Sequence, residues 1–451
     1  MARHSILFPG SLLLTLAAAP ALAGGPSLFG GDAPALRGAL SGEPGIGGIY
    51  AGDEAALVDM IETGVVVTAP PGEPPPPGGP DPFTPLGVRF GGFTLFPSLD
   101  IGAAIIWSNP PPSTGAALPV TPRIRATGAF GALSAELAAS ATFDLLAAPP
   151  DRHLDAADAR LDLTFTPGQW IAALGVHASF EPLRADDPEL PPGFDELPGA
   201  LTIGANAAVT VPLGPVAVTG AIAVDRTTYG DVAVGGVPVD QSERNFTTVA
   251  GTLRVAGNGG ALFTPYAEGT VGRRFYDVPV GTGGFLQDST FTEVRAGVIY
   301  DSAPVLTSDL SVGYRWENPD DPALAALAGV TFRGTSVWSP RETIRVAFDG
   351  SVTLQPATPG GGGLAIHQFT LRGEKDVADT VTVALIGDYR ADHAAAGVVA
   401  SGATVGAEIA WQPSRWVIVT AGYAHRWSWN ADPLVANTQS DEIRVTATLQ
   451  R

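Results

Sequence analysis

The chain has no cysteine, a single lysine at Lys375 and, beyond its N-terminus, no long uninterrupted apolar run. The absence of cysteine excludes disulfides, thiolate catalysis and cysteine-ligated metals. A membrane-spanning helix needs about 20 consecutive apolar residues, so the sequence excludes helical spans downstream of the N-terminus. The formal net charge is −20, with 25 basic and 45 acidic residues. Nucleic acid is therefore excluded as a partner, because its binding requires clustered positive charge.

The first 86 residues contain two segments that precede the folded domain. Arg3 and His4 stand before an apolar run that ends in small residues, a pattern typical of a secretory signal peptide over 1–23 with cleavage after Ala23. Residues 24–86 are rich in proline and glycine, which predicts a largely disordered leader in the periplasm. The remaining domain covers 87–451.

Residues 87–108 have the pattern of a long strand. Apolar side chains from Phe93 to Trp107 recur at every second position, whereas Thr94, Ser98 and Asp100 occupy the opposite face. A period of two indicates a strand, and a tilted strand needs roughly 9–11 residues to cross a bilayer. Only a closed barrel would satisfy the backbone of such strands in lipid. This stretch is therefore predicted to be the first strand of a transmembrane barrel.

Short and longer connections alternate along the rest of the chain. Short ones are predicted near Gly131, Pro167-Gly168 and Ser339-Pro340, among others, with longer ones such as 184–199, 317–323 and 391–401 between them. Tight periplasmic turns and longer outer loops are typical of outer-membrane barrels. The count predicts an all-β fold, an antiparallel transmembrane β-barrel of about 18 strands, with 16 as the alternative.

The tryptophans support a membrane location over a soluble β-sandwich, which would also show alternation. All eight fall at predicted strand ends, and all but Trp416 share the parity of the apolar face. Indoles at both lipid interfaces form aromatic girdles, whereas a sandwich buries its large aromatics in mid-strand. The predicted girdle consists of Trp107, Trp170, Trp316, Trp338, Trp411, Trp427 and Trp429.

The stretch from Val88 to Ala103, VRFGGFTLFPSLDIGA, follows a proline-rich leader. It resembles the opening strand of the putative beta-barrel porin 2 family of bacterial outer-membrane proteins, and the resemblance implies an outer-membrane barrel. Two features depart from that family. Trp107-Ser108-Asn109-Pro110 stands where members often carry an acidic loop, and Arg451 stands where outer-membrane barrels commonly end in an aromatic residue.

The face opposite the apolar one is predicted to line a hydrated lumen. Arginines and carboxylates facing each other across water would orient and select dipolar or anionic solutes, or would simply neutralise each other along the wall. The candidates are Arg295, Arg315, Arg333, Arg345, Arg372, Arg390, Arg426, Arg444, Glu293, Asp309, Asp349 and Asp388. Other carboxylates, including Glu317, Asp320 and Asp321, are expected in solvated outer loops.

No enzyme and no cofactor or metal is expected, because the histidines form no HExxH pair and no Gly-x-Ser-x-Gly elbow occurs. The predicted function is passive diffusion of small hydrophilic solutes across the cell outer membrane of a Gram-negative bacterium. The alternatives are a component of polysaccharide export, a surface binding scaffold with a plugged lumen, an outer-membrane hydrolase and a soluble all-β protein. The predicted partners are outer-membrane lipid and lipopolysaccharide, with a homo-oligomer or a periplasmic partner bound through 24–86 as further options.

Overall fold

The protein is seen in a computed structural model that describes residues 6–7, 83–110, 112–146, 154–183, 194–195, 198–257, 262–281, 284–355, 363–394, 397–431 and 437–451. Apart from 6–7, the predicted signal peptide and the leader as far as residue 82 lie outside the described residues. None of the described residues belongs to a helix long and apolar enough to cross a bilayer.

Eighteen antiparallel strands form one closed barrel, as the sequence predicts, and the alternative of 16 strands is excluded. The strands are β1 Phe93–Asn109, β2 Pro119–Phe130, β3 Leu133–Asp144, β4 Leu154–Phe165, β5 Ile171–Pro182, β6 Gly199–Leu213, β7 Val216–Tyr229, β8 Phe246–Gly257, β9 Phe263–Tyr276, β10 Ser289–Ser302, β11 Leu306–Pro319, β12 Leu327–Arg341, β13 Ile344–Gln355, β14 Leu364–Ala378, β15 Val381–Ala394, β16 Gly397–Ser414, β17 Val417–Asn430 and β18 Thr438–Gln450.

Each strand pairs with its neighbours in sequence, and β18 pairs with β1 to close the ring. The closing register runs from Gln439 opposite Asn109 to Gln450 opposite Ser98. A closed ring of strands has no unpaired sheet edge, which is the condition for a β-structure to span a bilayer. Closure also excludes the soluble sandwich, which would consist of two packed sheets.

Alternation sets the two faces of every strand. On β11, Leu310 and Val312 are 39% and 56% exposed, whereas the intervening Ser311 is 3% exposed. Large apolar side chains therefore cover the outside of the barrel, and polar side chains cover its inside. The hydrophobic clusters are correspondingly small, such as the one formed by Ala223, Ala250 and Phe291.

The connections follow the predicted rhythm, with eight short ones at the end of the barrel that holds the start of β1 and nine at the opposite end. The prediction of a longer loop at 391–401 was wrong. Strand β15 continues to Ala394 and β16 begins at Gly397, because most of this alanine- and valine-rich stretch pairs as strand. The start of the first strand also differs. Val88–Phe90 forms a separate short strand, since Gly91 turns the chain with a φ of 60°.

Besides Val88–Phe90, five smaller elements of the described residues lie outside the 18 barrel strands. Ser113–Ala117 pairs with the outer part of β1, and Val232–Val234 pairs with Val237–Val239 in the connection between β7 and β8. A 3₁₀ turn, Ser242–Arg244, follows that hairpin. The strand Ile6–Leu7 pairs in parallel with the start of β12.

Candidate functional site

The inward face of the barrel carries all twelve predicted lumen residues. Arg295, Arg315 and Arg444 are buried, at 7%, 4% and 8% exposure. The other five arginines are of intermediate exposure, and so are the four predicted carboxylates, Glu293, Asp309, Asp349 and Asp388. Burial of charge in a protein requires pairing. The partners of these side chains therefore decide what the lumen wall can do.

At the outer end of the wall, two arginines share one carboxylate. Arg274 Nη1 lies 3.1 Å from Glu317 Oε1, and Arg315 Nη2 lies 2.7 Å from Glu317 Oε2. Ser289 donates its hydroxyl to Glu317 Oε1 at 2.7 Å. Glu317 is 1% exposed, so its prediction as a solvated loop residue was wrong. Strand β11 is longer than predicted and carries this side chain on its inward face.

At mid-height, Arg295 is the centre of a second group. It donates to Glu293 and, at 3.0 Å, to the hydroxyl of Ser311. Thr331 also donates to Glu293, at 2.5 Å, and Glu268 lies 4.0 Å from the arginine. Strands β9 to β12 each supply at least one member, because register places these residues at adjacent levels.

Nearer the other mouth, Tyr266 and Arg254 converge on Asp309. The tyrosine hydroxyl donates to Asp309 Oδ1 at 2.6 Å, and Arg254 Nη2 lies 3.2 Å from Asp309 Oδ2. The guanidinium of Arg254 also stacks over the Tyr266 ring at 3.6 Å. Asp309 was among the predicted lumen residues, whereas its two partners were not. Their inward parity on β8 and β9 was the signal that would have identified them.

Strands β13 to β18 carry a second charged wall. Arg372 bonds to Glu374 at 2.6 Å and to Glu408 at 2.9 Å, and Glu442 receives Arg426 and Arg444 at 2.9 and 2.8 Å. Arg390 also pairs with Asp392 at 3.0 Å, and Arg345 with Glu374 at 4.0 Å. The Arg345 side chain keeps 30% of its surface exposed.

A row of alternating aspartate and threonine crosses this second wall. Register pairs Asp309 with Thr335, Thr335 with Asp349, Asp349 with Thr370 and Thr370 with Asp388. Thr370 donates to Asp388 at 2.6 Å. The row therefore presents carboxylates on every second strand.

Large inward side chains lie flat over glycines of the next strand. A Cβ on Gly272 would lie 2.2 Å from Phe291 Cζ, and one on Gly297 would lie 2.4 Å from Tyr266 Cζ. Only glycine permits such close approach. Phe291 thereby reaches Ala250 and Ala223, two and three strands away. Rings that lie along the wall occupy less of the lumen than rings that project into it.

Strands β5 to β8 present mostly small inward residues. Hydroxyl pairs join neighbouring strands here, such as Thr210 with Thr219 at 2.8 Å. His177 Nε2 and Asp225 Oδ1 form a titratable pair at 3.1 Å, across the position of Gly204. Because nine strands form half of the ring, this small-residue wall lies opposite β14 to β17 and their charged pairs.

The tryptophans lie at the ends of the strands with their rings outward. Trp107, Trp170, Trp316, Trp338 and Trp411 are 39–51% exposed. Trp427 and Trp429 are of intermediate exposure on the outward parity of β17. Trp416, the exception in parity, lies in the turn between β16 and β17.

The outer connections on the side of β5 to β12 bond to one another. The Asp195 amide donates to the Ala233 carbonyl at 2.7 Å, and Leu286 donates to Asp321 Oδ2 at 2.9 Å. Amides of Leu286 and Ala323 hold the pKa of the Asp321 carboxyl below its usual value. The Gln287 amide group reaches the Glu243 carbonyl at 3.4 Å. These loops therefore form one continuous surface.

Comparisons with known proteins give a family for the fold. Residues 81–451 match the family described as "Putative beta-barrel porin 2". No curated protein matches the chain in sequence.

The solved structures to which the chain is similar include three from Pseudomonas. The chain shares 10% identity with the outer membrane protein opdK of Pseudomonas aeruginosa, over 79% of this chain and 99% of that one, with a TM-score of 0.40. It shares 8% identity with a BenF-like porin of Pseudomonas fluorescens Pf-5, over 79% of this chain and 99% of that one, with a TM-score of 0.41. It shares 12% identity with OpdO of Pseudomonas aeruginosa, over 79% of this chain and 97% of that one, with a TM-score of 0.42.

The match to the family, in contrast, spans every strand of the barrel. The chain belongs to the putative beta-barrel porin 2 family and is a porin-like barrel of the outer membrane.

Proposed function

We propose that this barrel conducts small hydrophilic solutes by passive diffusion through a hydrated lumen. The observation that carries the proposal is the inward face, where charged groups of both signs are paired along the wall of a closed 18-strand ring. Barrels of roughly this size leave an aqueous channel, and rings lying flat over glycines keep it open. Because charges of both signs are paired along the wall, we expect the channel to favour dipolar solutes and to show no strong preference for cations or for anions.

We further propose that the second charged wall makes the selective contacts. Arg315 and Arg295 are enclosed by neighbouring groups, so permeating solutes meet little of their charge. Among the described residues, Arg345 has only a 4.0 Å contact with Glu374, and it keeps 30% of its side chain exposed. An exposed, weakly paired guanidinium acts on solutes at longer range than one neutralised within the wall.

Single-channel recording in planar bilayers tests both statements with a matched pair of variants. We expect the wild-type protein to conduct, and Arg345→Ser to shift ion preference towards cations because it removes an exposed positive charge. Arg315→Ser serves as the control and should change ion preference far less.

Three results would contradict this proposal. Absence of current in the wild type would favour a scaffold with a plugged lumen. An unchanged ion preference in Arg345→Ser would make this arginine part of the wall packing alone. Loss of polysaccharide secretion on deletion of 24–86, with no conductance, would favour the export component.

We also propose that the barrel contacts lipid and lipopolysaccharide of the outer membrane. Outward tryptophans at both ends of the strands support contact with lipid and lipopolysaccharide headgroups. Whether copies of the barrel associate, or the leader binds a periplasmic protein, is tested by mass measurement in detergent with and without residues 24–86.

A further inference from the structure

The part of β1 that the last strand leaves uncovered is paired with residues that precede β1 itself. Strand β18 pairs with β1 only as far as Ser98. Beyond that point Val88–Phe90 pairs with residues 93–95 of β1. The other edge of β1 is already occupied by β2 over these residues. The short strand therefore continues the line of β18 towards the end of the barrel that holds the short turns, which is the periplasmic end in such barrels.

The chain has to leave the plane of the sheet just before Val88. Val88–Phe90 runs in the same direction as β18, because both are antiparallel to β1. The place ahead of Val88 in the sheet is taken by the end of β18, where the Arg451 amide donates to the Pro97 carbonyl at 3.1 Å. The residues before Val88 must therefore pass on the inner or the outer side of the wall.

Gly87 takes the chain to the inner side. Its φ is 65°, and a Cβ there would lie 2.6 Å from Thr94 Cγ2 and 2.9 Å from Phe96 Cε1. Both of these side chains have the parity that faces the lumen on β1. Glycine permits both the positive φ and the close approach. The chain therefore lies on the lumen side of β1 at Gly87.

Residues 83–87 continue along the wall with one side against it. Phe83, Pro85 and Gly87 are half-buried, whereas Thr84 and Leu86 between them are exposed. Alternation of this kind is expected of an extended segment that lies on a surface.

Gln412 of β16 binds the far end of this segment. Its Nε2 donates to the carbonyl of Phe83 at 2.9 Å, and the residue has inward parity and 2% exposure. Strands β17 and β18 separate β16 from β1, so the segment crosses the inner face of both. Ile418 of β17 and Thr448 of β18 lie opposite each other in register near this end, at 3% and 5% exposure. Such burial is expected beneath a crossing segment.

We propose that residues 83–90, here called the seam latch, hold the first and the last strands of the ring together at its periplasmic end. Every other pair of neighbouring strands is joined by a connection of the chain, whereas β18 and β1 are held by pairing alone. The seam latch is anchored on β1 at one end and on β16 at the other. Opening of the ring at this end moves β16 to β18 away from β1, and so must break the bond between Gln412 and Phe83.

The order of assembly follows from the same geometry. Phe83 and Gln412 can meet only when β16 has come round to the vicinity of β1, so the seam latch engages as the ring closes. Its contribution is therefore to the rate at which the closed ring opens. This role does not depend on what passes through the lumen.

Amide hydrogen exchange of the full chain in lipid vesicles tests the seam latch with a matched pair of variants. In Gln412→Ala we expect exchange about two- to tenfold faster at the β1 amides between Leu99 and Ala103, the factor expected for loss of one hydrogen bond. Gln368→Ala, inward on β14 and opposite Arg390 in register, is the control and should leave these amides unchanged. Faster exchange confined to β15 and β16 would make Gln412 a local packing residue and overturn the proposal.

A cross-link tests the position and the role of the seam latch together. The chain has no cysteine, so Phe83→Cys combined with Gln412→Cys gives one pair of thiols that a short bis-maleimide can join. We expect the folded protein to cross-link, and the linked form to unfold more slowly in urea than the unlinked form, because the ring can no longer open at the seam. Phe83→Cys combined with Gln368→Cys is the control and should not cross-link, since β14 lies two strands further from the seam.

Two results would overturn the proposal. Failure of the Phe83 and Gln412 thiols to cross-link would show that the seam latch does not cross β17 and β18. A cross-link that forms but leaves the unfolding rate unchanged would show that the crossing segment does not hold the seam.

Discussion

Single glycines decide how the largest lumen side chains lie. Phe291 is 3% exposed because its ring covers Gly272 of the neighbouring strand and packs on Ala250 beyond it. Any side chain at 272 would occupy the volume of this ring. The Phe291 ring would then have to turn into the lumen, exposing apolar surface to water and narrowing the channel.

We therefore predict that Gly272→Ala destabilises the barrel by about 1–3 kcal/mol, the usual cost of overpacking. The free energy of unfolding can be measured by urea titration in lipid vesicles, and the displaced ring should also lower single-channel conductance. Gly269→Ala on the same strand is the matched control, since nothing lies within 4 Å of its Cβ position. Equal losses in the two variants would contradict the role given to Phe291.

Buried charged side chains, like these rings, depend on their immediate neighbours. Glu317 receives Arg274, Arg315 and Ser289 while only 1% exposed. Removing one partner from such a buried group typically costs about 3–5 kcal/mol, because the remaining charge is left uncompensated. This group therefore specifies how β9, β10 and β11 align, more than it serves a passing solute.

At the scale of elements, the outer connections behave as a joined surface. Asp321 accepts hydrogen bonds from the amides of Leu286 and Ala323, which belong to two different loops. The two amides lower the pKa of Asp321 below its ordinary 3.8, because they bond to the charged form. A lowered folded pKa gives a contribution to stability that is present above the unfolded pKa and lost as pH falls through the folded pKa.

We expect the two loops to separate in acid, as the pH falls below 3.8 and Asp321 becomes protonated. Amide hydrogen exchange reports this directly, as a loss of protection at Leu286 and Ala323 over that range. In Asp321→Asn, protection should be weaker at neutral pH and nearly independent of pH. Protection that persists unchanged in the wild type well below pH 3.8 would show that the carboxylate does not join the loops.

At the scale of the whole molecule, the main constraint on the sequence is that side chains alternate between the outward and the inward face of each strand. Val405 lies near the middle of β16 with 54% of its surface exposed on the outward face, and Thr404 beside it faces inward. In a membrane, the two neighbours would contact hydrocarbon and water respectively. The same substitution at each of the two positions therefore compares the surroundings of the outward and the inward face of one strand.

We predict that Val405→Arg costs about 2–4 kcal/mol of stability in lipid, the cost of an arginine near the bilayer midplane. Thr404→Arg should cost far less, since the new side chain would lie in a hydrated lumen, with Asp388 and Arg426 as its register partners on the two neighbouring strands. Unfolding titrations in vesicles measure both. Comparable costs would mean that the two faces of β16 meet similar surroundings.

The sequence by itself determined the class of fold, the number of strands and which side chains share a face. Each of these follows from a period of two and from turn residues, which are local properties of the chain. Both errors, at 391–401 and at Glu317, concern where a strand ends. Strands β15 and β16 continue through most of 391–401, and β11 continues past Trp316 to Pro319, because pairing with the neighbouring strands extends beyond the stretch whose alternation is clear in the sequence.

Tertiary structure alone decided which charged groups meet. Tyr266 and Asp309 are 43 residues apart and bond only because closure sets the register of three strands. Local pattern does not encode that register, so neither the flat rings nor the paired arginines could be predicted. The same holds for Phe83 and Gln412, which are 329 residues apart and meet because the ring returns the last strands to the first.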